Sequence, residues 1–375
     1  MKLEMVDLRG QYEKIQAEVD SAVLNVIRDA SYINGPAVIS FAKNLSTYLG
    51  GVYVIPCANG TDALQISMMA LGLEPGDEVI VPSFTYVATA EVIGLLRLKP
   101  IMVDVDPNHF NITKSNIEKA IGPKTKAIVP VHLFGQCADM EPILALAKEK
   151  GLFVIEDTAQ AIGAVYTFSD GIKKQAGTIG NVGCTSFFPS KNLGCYGDGG
   201  AIFTHDSLLA EKIRMIANHG QEKKYVHKYI GVNSRLDTIQ AAILNIKLKY
   251  LDQYSSARRV AADRYDQLLS GIDGLKTPLR AQNSTHVFHQ YTILVENSKR
   301  DKLKQYLESA GIPAMIYYPI PLNEQEAFKS IGAVHGSLNE TERLCASVLS
   351  LPIHTELTEE QQIFITDTIR SFFKS

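Results

Sequence analysis

Residues 152–157 read Leu-Phe-Val-Ile-Glu-Asp, a short apolar run that ends in two acidic side chains. Such a run is typical of a β-strand that is buried on both faces of a sheet. Similar runs precede it at residues 77–81, 100–105 and 126–131, and helical patterns such as residues 140–150 lie between them. This alternation predicts an α/β fold in which helices cover both faces of a mostly parallel sheet.

In a sheet of this kind, ligands bind beyond the carboxyl ends of the strands, where loops lead into helices. The segments that directly follow the apolar runs are therefore the first candidates for a functional site: residues 83–86, 132–136 and 157–160. Each of them contains polar or aromatic side chains that can contact a ligand.

The last third of the chain has a different pattern and predicts a second, smaller domain. Apolar positions recur at helical spacing over residues 236–269, which predicts one long helix that leads away from the sheet. One strand pattern and two helical patterns follow, at residues 290–295, 300–310 and 358–373. We expect a large domain at residues 1–250 and a small C-terminal α/β domain at residues 251–375.

The composition restricts the partners of the protein. The chain has 375 residues, of which 46% are apolar and 21% charged, and its formal net charge is −3. This balance gives no electrostatic reason to expect binding to nucleic acid or to an anionic membrane. No apolar stretch approaches the roughly 18 residues that span a bilayer, and the N-terminus lacks the apolar core of a secretory signal. The cysteines are scattered, so we expect a cytoplasmic protein with reduced thiols and no metal site.

Lys191 lies in the segment Thr185-Ser-Phe-Phe-Pro-Ser-Lys-Asn-Leu-Gly-Cys-Tyr-Gly-Asp-Gly-Gly-Ala201. Glycines allow a backbone to pass close to a planar ligand without a side-chain clash. A lysine that forms a Schiff base must be partly desolvated, so that its amine is often neutral. Alone, a Lys-Asn-Leu-Gly stretch is far more typical of a surface lysine in a turn, but its candidate partners elsewhere in the chain favour a cofactor lysine.

Asp157 is the first of these partners, because a carboxylate at the end of a buried strand is costly unless it is paired. The protonated pyridine nitrogen of pyridoxal 5′-phosphate (PLP) supplies such a pair, and the acid keeps the ring an electron sink. Gln160 lies one turn beyond, where it can hydrogen-bond the 3-oxygen of the ring. The alternative is that Asp157 caps a helix. Glu156 is expected to face away and to support the fold.

The segment Cys57-Ala-Asn-Gly-Thr-Asp-Ala-Leu-Gln65 combines an Asn-Gly turn, Thr or Asp at the predicted cap position and an apolar-periodic helix. Free backbone N–H groups and the helix dipole at such a terminus attract an anion. The phosphate of the cofactor fits there, with Gly60 and Thr61 as donors and Ser186 as a further hydroxyl. Alone, the motif is also compatible with a well-capped structural helix.

Aromatic and histidine side chains near the strand ends allow more than one interpretation. Phe84 or Tyr86 can stack on the pyridine ring, although an aromatic residue at this position is also typical of the core. His132 either lines the site or is a buried structural residue. The pair His286 and His289 is expected to serve loop and strand packing rather than metal binding.

Five motifs occur in order along the chain: Cys57-Ala-Asn-Gly-Thr-Asp-Ala-Leu, Pro82-Ser-Phe-Thr-Tyr-Val-Ala-Thr-Ala, Glu156-Asp-Thr-Ala-Gln, Ser186-Phe-Phe-Pro-Ser-Lys-Asn-Leu-Gly-Cys-Tyr-Gly-Asp-Gly-Gly and Gly231-Val-Asn-Ser-Arg-Leu-Asp. Together they resemble the DegT/DnrJ/EryC1/StrS sugar aminotransferases, and the resemblance spans about residues 7–351. It implies a fold-type I PLP-dependent transferase. It also implies a homodimer whose active sites lie at the subunit interface.

The same resemblance implies a role for each matching residue. Lys191 is the Schiff-base lysine, Asp157 the partner of the pyridine nitrogen and Gln160 the contact of the 3-oxygen. The remaining cofactor contacts are Gly60, Thr61 and Ser186 on the phosphate, Phe84 as the stacking ring, and Asn233 from the partner subunit on the phosphate. The sugar nucleotide contacts are Tyr32, Ser190, Tyr317, Tyr318 and, from the partner subunit, Arg235.

The presence of Lys191 favours transamination, because dehydratases of the same fold carry histidine at this position. A PLP-binding regulatory protein without turnover is the alternative outside catalysis, but it predicts a damaged lysine or acid. A nicotinamide oxidoreductase would require a GxGxxG motif after a strand, and the sequence has none there.

The resemblance is closest to one branch of the family, on the segments at residues 59–66, 135–139, 195–200 and 219–221. That branch transfers an amino group from glutamate to C3 of UDP-2-acetamido-2-deoxy-3-oxo-glucuronate, for bacterial surface polysaccharides such as lipopolysaccharide. The alternative substrate is a TDP-linked 3- or 4-keto-6-deoxyhexose, which has no carboxylate.

Overall fold

A computed structural model describes residues 3–374 and shows an α/β fold, in which this range forms one eight-stranded sheet, one three-stranded sheet and two two-stranded sheets. The helices are α1 (Leu8–Arg28), α2 (Pro36–Tyr48), α3 (Gly60–Leu71), α4 (Ala88–Leu95), α5 (Lys114–Ala120), α6 (Met140–Lys150), α7 (Ser207–Ala217), α8 (Thr238–Leu248), α9 (Leu251–Leu269), α10 (Arg300–Ser309), α11 (Asn339–Ser347) and α12 (Glu359–Lys374). Over this described range, no helix is both long and apolar enough to cross a membrane.

The strands lie between these helices and confirm the fold class that the sequence predicts. They are β1 (Tyr53–Cys57), β2 (Glu78–Pro82), β3 (Lys99–Val103), β4 (Thr125–Ile128), β5 (Phe153–Asp157), β6 (Val165–Thr167), β7 (Lys173–Gln175), β8 (Val182–Ser186), β9 (Gly200–Thr204), β10 (Gln221–Lys223), β11 (Val226–His227), β12 (Leu275–Lys276), β13 (Tyr291–Val295), β14 (Ala333–Val334) and β15 (Val348–Leu351). The large sheet has the order β1-β9-β8-β5-β4-β2-β3-β14.

The large sheet is parallel except at β9, which runs antiparallel to both of its neighbours, β1 and β8. Its central strands are apolar along their length because helices cover both faces. Val79, Ile80 and Val81 of β2 are completely buried, for example. Strand β4 ends at Ile128, earlier than predicted, because Pro130 has no N–H to donate to a neighbouring strand.

Helix α6 has the bounds that the sequence predicts, whereas the long helix predicted over residues 236–269 is wrong in one respect. The structure divides it into α8 and α9, which are separated at Lys249 and Tyr250. Neither residue is a strong helix breaker, so the local sequence does not reveal the division. It follows from packing: α8 lies against α1 and α2, whereas α9 lies against α12.

The small sheet contains β12, β13 and β15 in antiparallel order. Its core includes Tyr265 of α9, Leu303 of α10 and Ile365 of α12. The chain also returns to the large sheet after residue 250, because β14 pairs with β3. The domain boundary near residue 250 stays a prediction.

Glu156 stabilises the loop beside the carboxyl end of β5, and its side chain is completely buried. Its Oε1 accepts the N–H groups of Ile179 at 2.7 Å and Gly180 at 2.6 Å. Its Oε2 accepts the N–H of Gly177 at 2.9 Å and lies 2.8 Å from Nε2 of His132. Because Nδ1 of His132 accepts a backbone N–H, Nε2 is the donor to Glu156. Both side chains are therefore structural, as expected for Glu156.

Replacing Glu156 by Gln should lower the free energy of unfolding by about 3 kcal/mol. The NH₂ group of Gln would replace one of the two accepting oxygens, so that a donor would face a backbone N–H donor and both would lack an acceptor. Urea unfolding followed by circular dichroism measures the change. Glu149→Gln is the matched control, since the Glu149 side chain is 64% exposed, and it should change stability by less than about 0.5 kcal/mol. Equal stability of the two variants would contradict the structural role of Glu156.

Candidate active site

A cavity of about 620 Å³ opens at the carboxyl ends of β2, β5 and β8. The N-terminus of α3, the loop that carries Lys191, and the segments at residues 289–290 and 317–318 form the rest of its wall. This is the edge at which a parallel sheet is expected to bind a ligand.

Most of the residues that the sequence assigns to the site line this cavity. They are Gly60, Thr61, Asp157, Gln160, Ser186, Ser190, Lys191, Tyr317 and Tyr318. Tyr32 lies outside it and is 48% exposed. Asn233 and Arg235 also lie outside the cavity of their own chain, and the roles implied for them belong to a second subunit.

The structure does not bring Phe84 to the cavity, so the prediction of a stacking ring at this residue is corrected. Phe84 is 1% exposed and packs in the core, with its ring centroid 6.2 Å from that of Phe110 and 6.3 Å from that of Phe134. Tyr86 lines the cavity instead and is 56% exposed. The chain bends directly after β2. The apolar ring of Phe84 therefore packs in the core, whereas the ring of Tyr86, which carries a hydroxyl, lies at the cavity.

Asn59 is the N-cap of α3, which corrects the predicted cap at Thr61 or Asp62. Its side-chain oxygen accepts the N–H of Asp62 at 2.7 Å, from an extended backbone. The N–H groups of Gly60 and Thr61, at the start of the helix, have no partner within the helix. Since both residues line the cavity, the helix terminus offers donors and a positive dipole to an anion.

Two glycines allow α3 to approach the strands this closely. A Cβ atom on Gly60 would lie 2.7 Å from Cβ of Ser186, and one on Gly200 would lie 2.4 Å from the carbonyl of Asn59. Both distances are shorter than a van der Waals contact, so any side chain would displace the helix terminus. Gly200, in the glycine-rich segment after Lys191, therefore makes room for the backbone of α3.

Asp157 and Lys191 face the same cavity from β5 and from the loop after β8. The carboxylate of Asp157 accepts the Ala159 N–H at 3.1 Å and the Thr89 hydroxyl at 2.8 Å. Burial lowers the pKa of Lys191 to about 8, and the negative charge of Asp157 partly offsets this effect. Because an exposed lysine has a pKa of about 10.4, the Lys191 amine is neutral far more often near pH 7, as a nucleophile requires.

Gln160 is held in place by two hydrogen bonds at the cavity wall. Its Oε1 accepts the N–H of Phe134 at 2.7 Å, and its Nε2 donates to the hydroxyl of Tyr318 at 3.1 Å. Burial raises the pKa of Tyr318, so the phenol keeps its proton. The two side chains form a rigid polar edge beside Asp157.

The residues present fit PLP. The hydroxyl of Thr85 is buried, lines the cavity and has no hydrogen-bond partner, so a ligand there would satisfy an otherwise costly group. A helix terminus for a phosphate, a carboxylate for a cationic ring nitrogen and a largely neutral lysine for an aldehyde complete the match. Among residues 3–374, no group of three or more His, Cys, Asp or Glu side chains is arranged to hold a metal ion.

Thr85, Asp198 and His289 line the cavity as well, although the sequence analysis assigns none of them to the site. Thr85 and Asp198 belong to motifs that the sequence identifies, so those segments are found but not the individual side chains. The sequence assigns His289 to packing, and only the tertiary structure brings it to the wall of the cavity.

The chain matches the DegT/DnrJ/EryC1/StrS aminotransferase family over residues 13–370. A UDP-2-acetamido-2-deoxy-3-oxo-D-glucuronate aminotransferase from Pseudomonas aeruginosa is 47% identical over 355 residues, which cover 95% of this chain and 96% of the relative. A pleiotropic regulatory protein from Geobacillus stearothermophilus is 46% identical over 376 residues, which cover 100% and 99%. The solved structure of S. venezuelae DesV in complex with a ketimine intermediate has a TM-score of 0.95 at 38% identity, covering 100% and 99%.

Replacing Gly60 by Ala should weaken PLP binding by about tenfold or more, because the added methyl group pushes the N-terminus of α3 away from Ser186 and from the phosphate. Titration of the cofactor-free protein with PLP, followed by absorbance, measures the dissociation constant. Gly122→Ala is the control: its Cβ would meet only side-chain atoms, Oε2 of Glu78 at 3.2 Å and Oγ1 of Thr125 at 3.9 Å, and affinity should stay unchanged. Wild-type affinity in Gly60→Ala would refute the phosphate site at this helix.

Proposed function

This chain belongs to the DegT/DnrJ/EryC1/StrS aminotransferase family and is a PLP-dependent sugar nucleotide aminotransferase, and from this premise we propose that it aminates C3 of UDP-2-acetamido-2-deoxy-3-oxo-glucuronate. The amino donor is glutamate. The product serves the synthesis of a bacterial surface polysaccharide such as lipopolysaccharide, in the cytoplasm. The observation that carries the choice of substrate is the 47% identity with the Pseudomonas aeruginosa aminotransferase.

In this proposal the cavity holds PLP by its two ends. The N–H groups of Gly60 and Thr61, with the hydroxyl of Ser186, bind the phosphate, because they lie together where the α3 dipole is positive. At the other end, Asp157 pairs with the protonated ring nitrogen and Gln160 contacts the 3-oxygen. Tyr86 covers one face of the ring, in place of Phe84.

Bound PLP supplies an electron sink for the carbon whose proton is lost. Lys191 holds the cofactor between turnovers through its Nζ atom. During turnover the same Nζ, with its lowered pKa, takes the proton from Cα of glutamate. Nζ then passes this proton to the cofactor carbon. In the second half of the reaction Nζ takes a proton back from that carbon and delivers it to C3 of the sugar, so that in each half one group serves as base and then as acid. The carboxylate of Asp157 would pair with the protonated ring nitrogen and so keep the ring an electron sink.

The substrate carries more negative charge than one chain can neutralise. Among the described residues of a single chain, Lys191 is the one lysine or arginine that lines the cavity, whereas a UDP-linked uronate brings a diphosphate and a carboxylate. We infer that Arg235 and Asn233 of the partner subunit complete the site, with the substrate also contacting Tyr32, Ser190, Tyr317 and Tyr318. The exposed apolar side chains of Tyr225 and Ile230, 82% and 88% exposed, lie close to Arg235 in sequence and suit a surface that a second copy covers.

Purified enzyme loaded with PLP should transfer the amino group of glutamate to the 3-oxo uronate carried by UDP. Turnover of TDP-linked 3- or 4-keto-6-deoxyhexoses should be at least about a hundredfold lower in kcat/KM, because a site that pairs the carboxylate discriminates strongly against sugars without one. Mass spectrometry of the sugar products measures both reactions.

Lys191→Ala is the control and should abolish turnover on every sugar. A preference for TDP-linked sugars would reject the uronate substrate. Absence of turnover on all keto-sugars in a protein that binds PLP would instead favour a regulatory role, such as the name of the Geobacillus stearothermophilus relative indicates for that protein.

Shared active sites can be tested by combining two inactive variants. Lys191→Ala and Arg235→Ala, co-expressed with different tags, should regain about a quarter of wild-type activity, because half of the dimers are hybrids with one intact site of two. Each variant alone should be inactive or strongly impaired. If the mixture stays as inactive as the separate variants, Arg235 acts within its own chain and the shared site is wrong.

A further inference from the structure

His289 is a buried histidine at the wall of the active-site cavity, two residues before β13. It is 5% exposed and lines the cavity together with Lys191. Its Nδ1 is buried without a hydrogen-bond partner. A buried polar atom that the protein leaves unpaired is costly, so its retention beside a reactive lysine requires an explanation.

The other buried histidines of residues 3–374 behave differently. His132 bonds Glu156 and a backbone N–H, while His286 and His354 each accept a backbone N–H at Nδ1. Each of these rings has a structural hydrogen bond, and none of them lines the cavity. Among the described residues, His289 is thus the buried histidine that lines the cavity and whose Nδ1 has no hydrogen-bond partner.

Arg258 lies behind His289 and adds a positive charge. The guanidinium is 3% exposed, and its Nη1 donates to the carbonyl oxygens of Phe288 at 3.1 Å, His289 at 3.4 Å and Ile353 at 2.9 Å. Burial, together with the charges of Lys191 and Arg258, holds the pKa of His289 well below its usual value. The imidazole is therefore neutral and offers one donor and one acceptor nitrogen.

Asn192 links the Lys191 loop to the segment that carries His289. Its Nδ2 donates to the carbonyl oxygen of Val287 at 2.9 Å, and the side chain is 3% exposed. This bond joins the neighbour of Lys191 to a residue two positions before His289. This hydrogen bond therefore ties the segment that carries Lys191 to the segment that carries His289.

We propose that His289 is a positioning residue for Lys191, in which one nitrogen of its neutral imidazole accepts a hydrogen bond from Nζ of the lysine. The proposal rests on the role of Lys191 in the proposed function. A neutral acceptor suits this task better than a carboxylate, because a carboxylate would stabilise the ammonium strongly and retain its proton. The imidazole orients the amine, but the proton stays on Nζ and can be returned to the substrate.

The experiment compares His289→Phe, which removes the acceptor, with His289→Gln, which keeps an acceptor oxygen. His286→Phe is the matched control, since His286 is buried three residues away but does not line the cavity. The first measurement uses cofactor-free protein: Lys191 is labelled with an amine-reactive reagent over a pH series and quantified by peptide mass spectrometry. The second measures the absorbance change when PLP-loaded enzyme is mixed with glutamate.

In His289→Phe, the labelling midpoint of Lys191 should fall by about one pH unit, because the ammonium form loses its acceptor. The maximal rate with glutamate should fall about ten- to hundredfold, the effect expected for one hydrogen bond to a charged group, with KM changed less than about threefold. His289→Gln should restore the midpoint and most of the rate. His286→Phe should lower the melting temperature only.

Two outcomes overturn the proposal: an unchanged midpoint in His289→Phe, or equal loss in His289→Phe and His289→Gln with a matching fall in melting temperature, which would mark a packing role. Failure of the proposed function is distinguishable from both. An enzyme that aminates no UDP-linked uronate would leave the labelling midpoints of the cofactor-free protein unaffected.

Discussion

A carboxylate cannot remain buried at the end of a strand without donors or a cation, and β5 buries two carboxylates in succession. Consecutive side chains of a strand point to opposite faces, so Glu156 and Asp157 meet different surroundings. Glu156 receives three backbone N–H groups and His132, which fixes the loop at residues 177–180. Among the described residues, only Ala159 and Thr89 donate to the carboxylate of Asp157, which lines the cavity. Glu156 thus stabilises the structure around the end of β5, and Asp157 faces the cavity from the same strand end.

The opposite end of the cavity is built from backbone rather than charge. Asn59 caps α3, and glycine at positions 60 and 200 permits the close approach of the helix to β8 and β9. The helix terminus can bind a phosphate without a lysine or an arginine. The large sheet sets the distance between this helix terminus and Asp157, because α3 follows β1 and Asp157 is the last residue of β5. A cofactor that carries a phosphate and a basic nitrogen can contact the helix terminus and Asp157 at the same time.

The reactive lysine lies between these two ends in surroundings that disfavour its charged form. Burial lowers the pKa of Lys191, and Asp157 limits the effect. Burial and the positive charges of Lys191 and Arg258 lower the pKa of His289 and keep it neutral, so His289 adds no negative charge that would raise the pKa of the amine. Among the described residues, Lys191 is also the one lysine or arginine that lines the cavity, which is why the proposed substrate site takes a second cation from Arg235 of the partner subunit.

The sequence by itself determined the features that depend on local pattern: the alternation of strands and helices, the bounds of α6, the acid at the end of β5, the lysine of the glycine-rich segment, and the family. Apolar periodicity, caps and glycines act over a few residues, so a single chain is sufficient to reveal them. Only the tertiary structure decided that α8 and α9 are separate helices, that Tyr86 rather than Phe84 reaches the cavity, and that His289 lines its wall beside Lys191. These features depend on which of several suitable side chains is buried against a distant part of the chain. The free energy of that burial comes from contacts between distant residues, so it cannot be predicted from a local stretch of sequence.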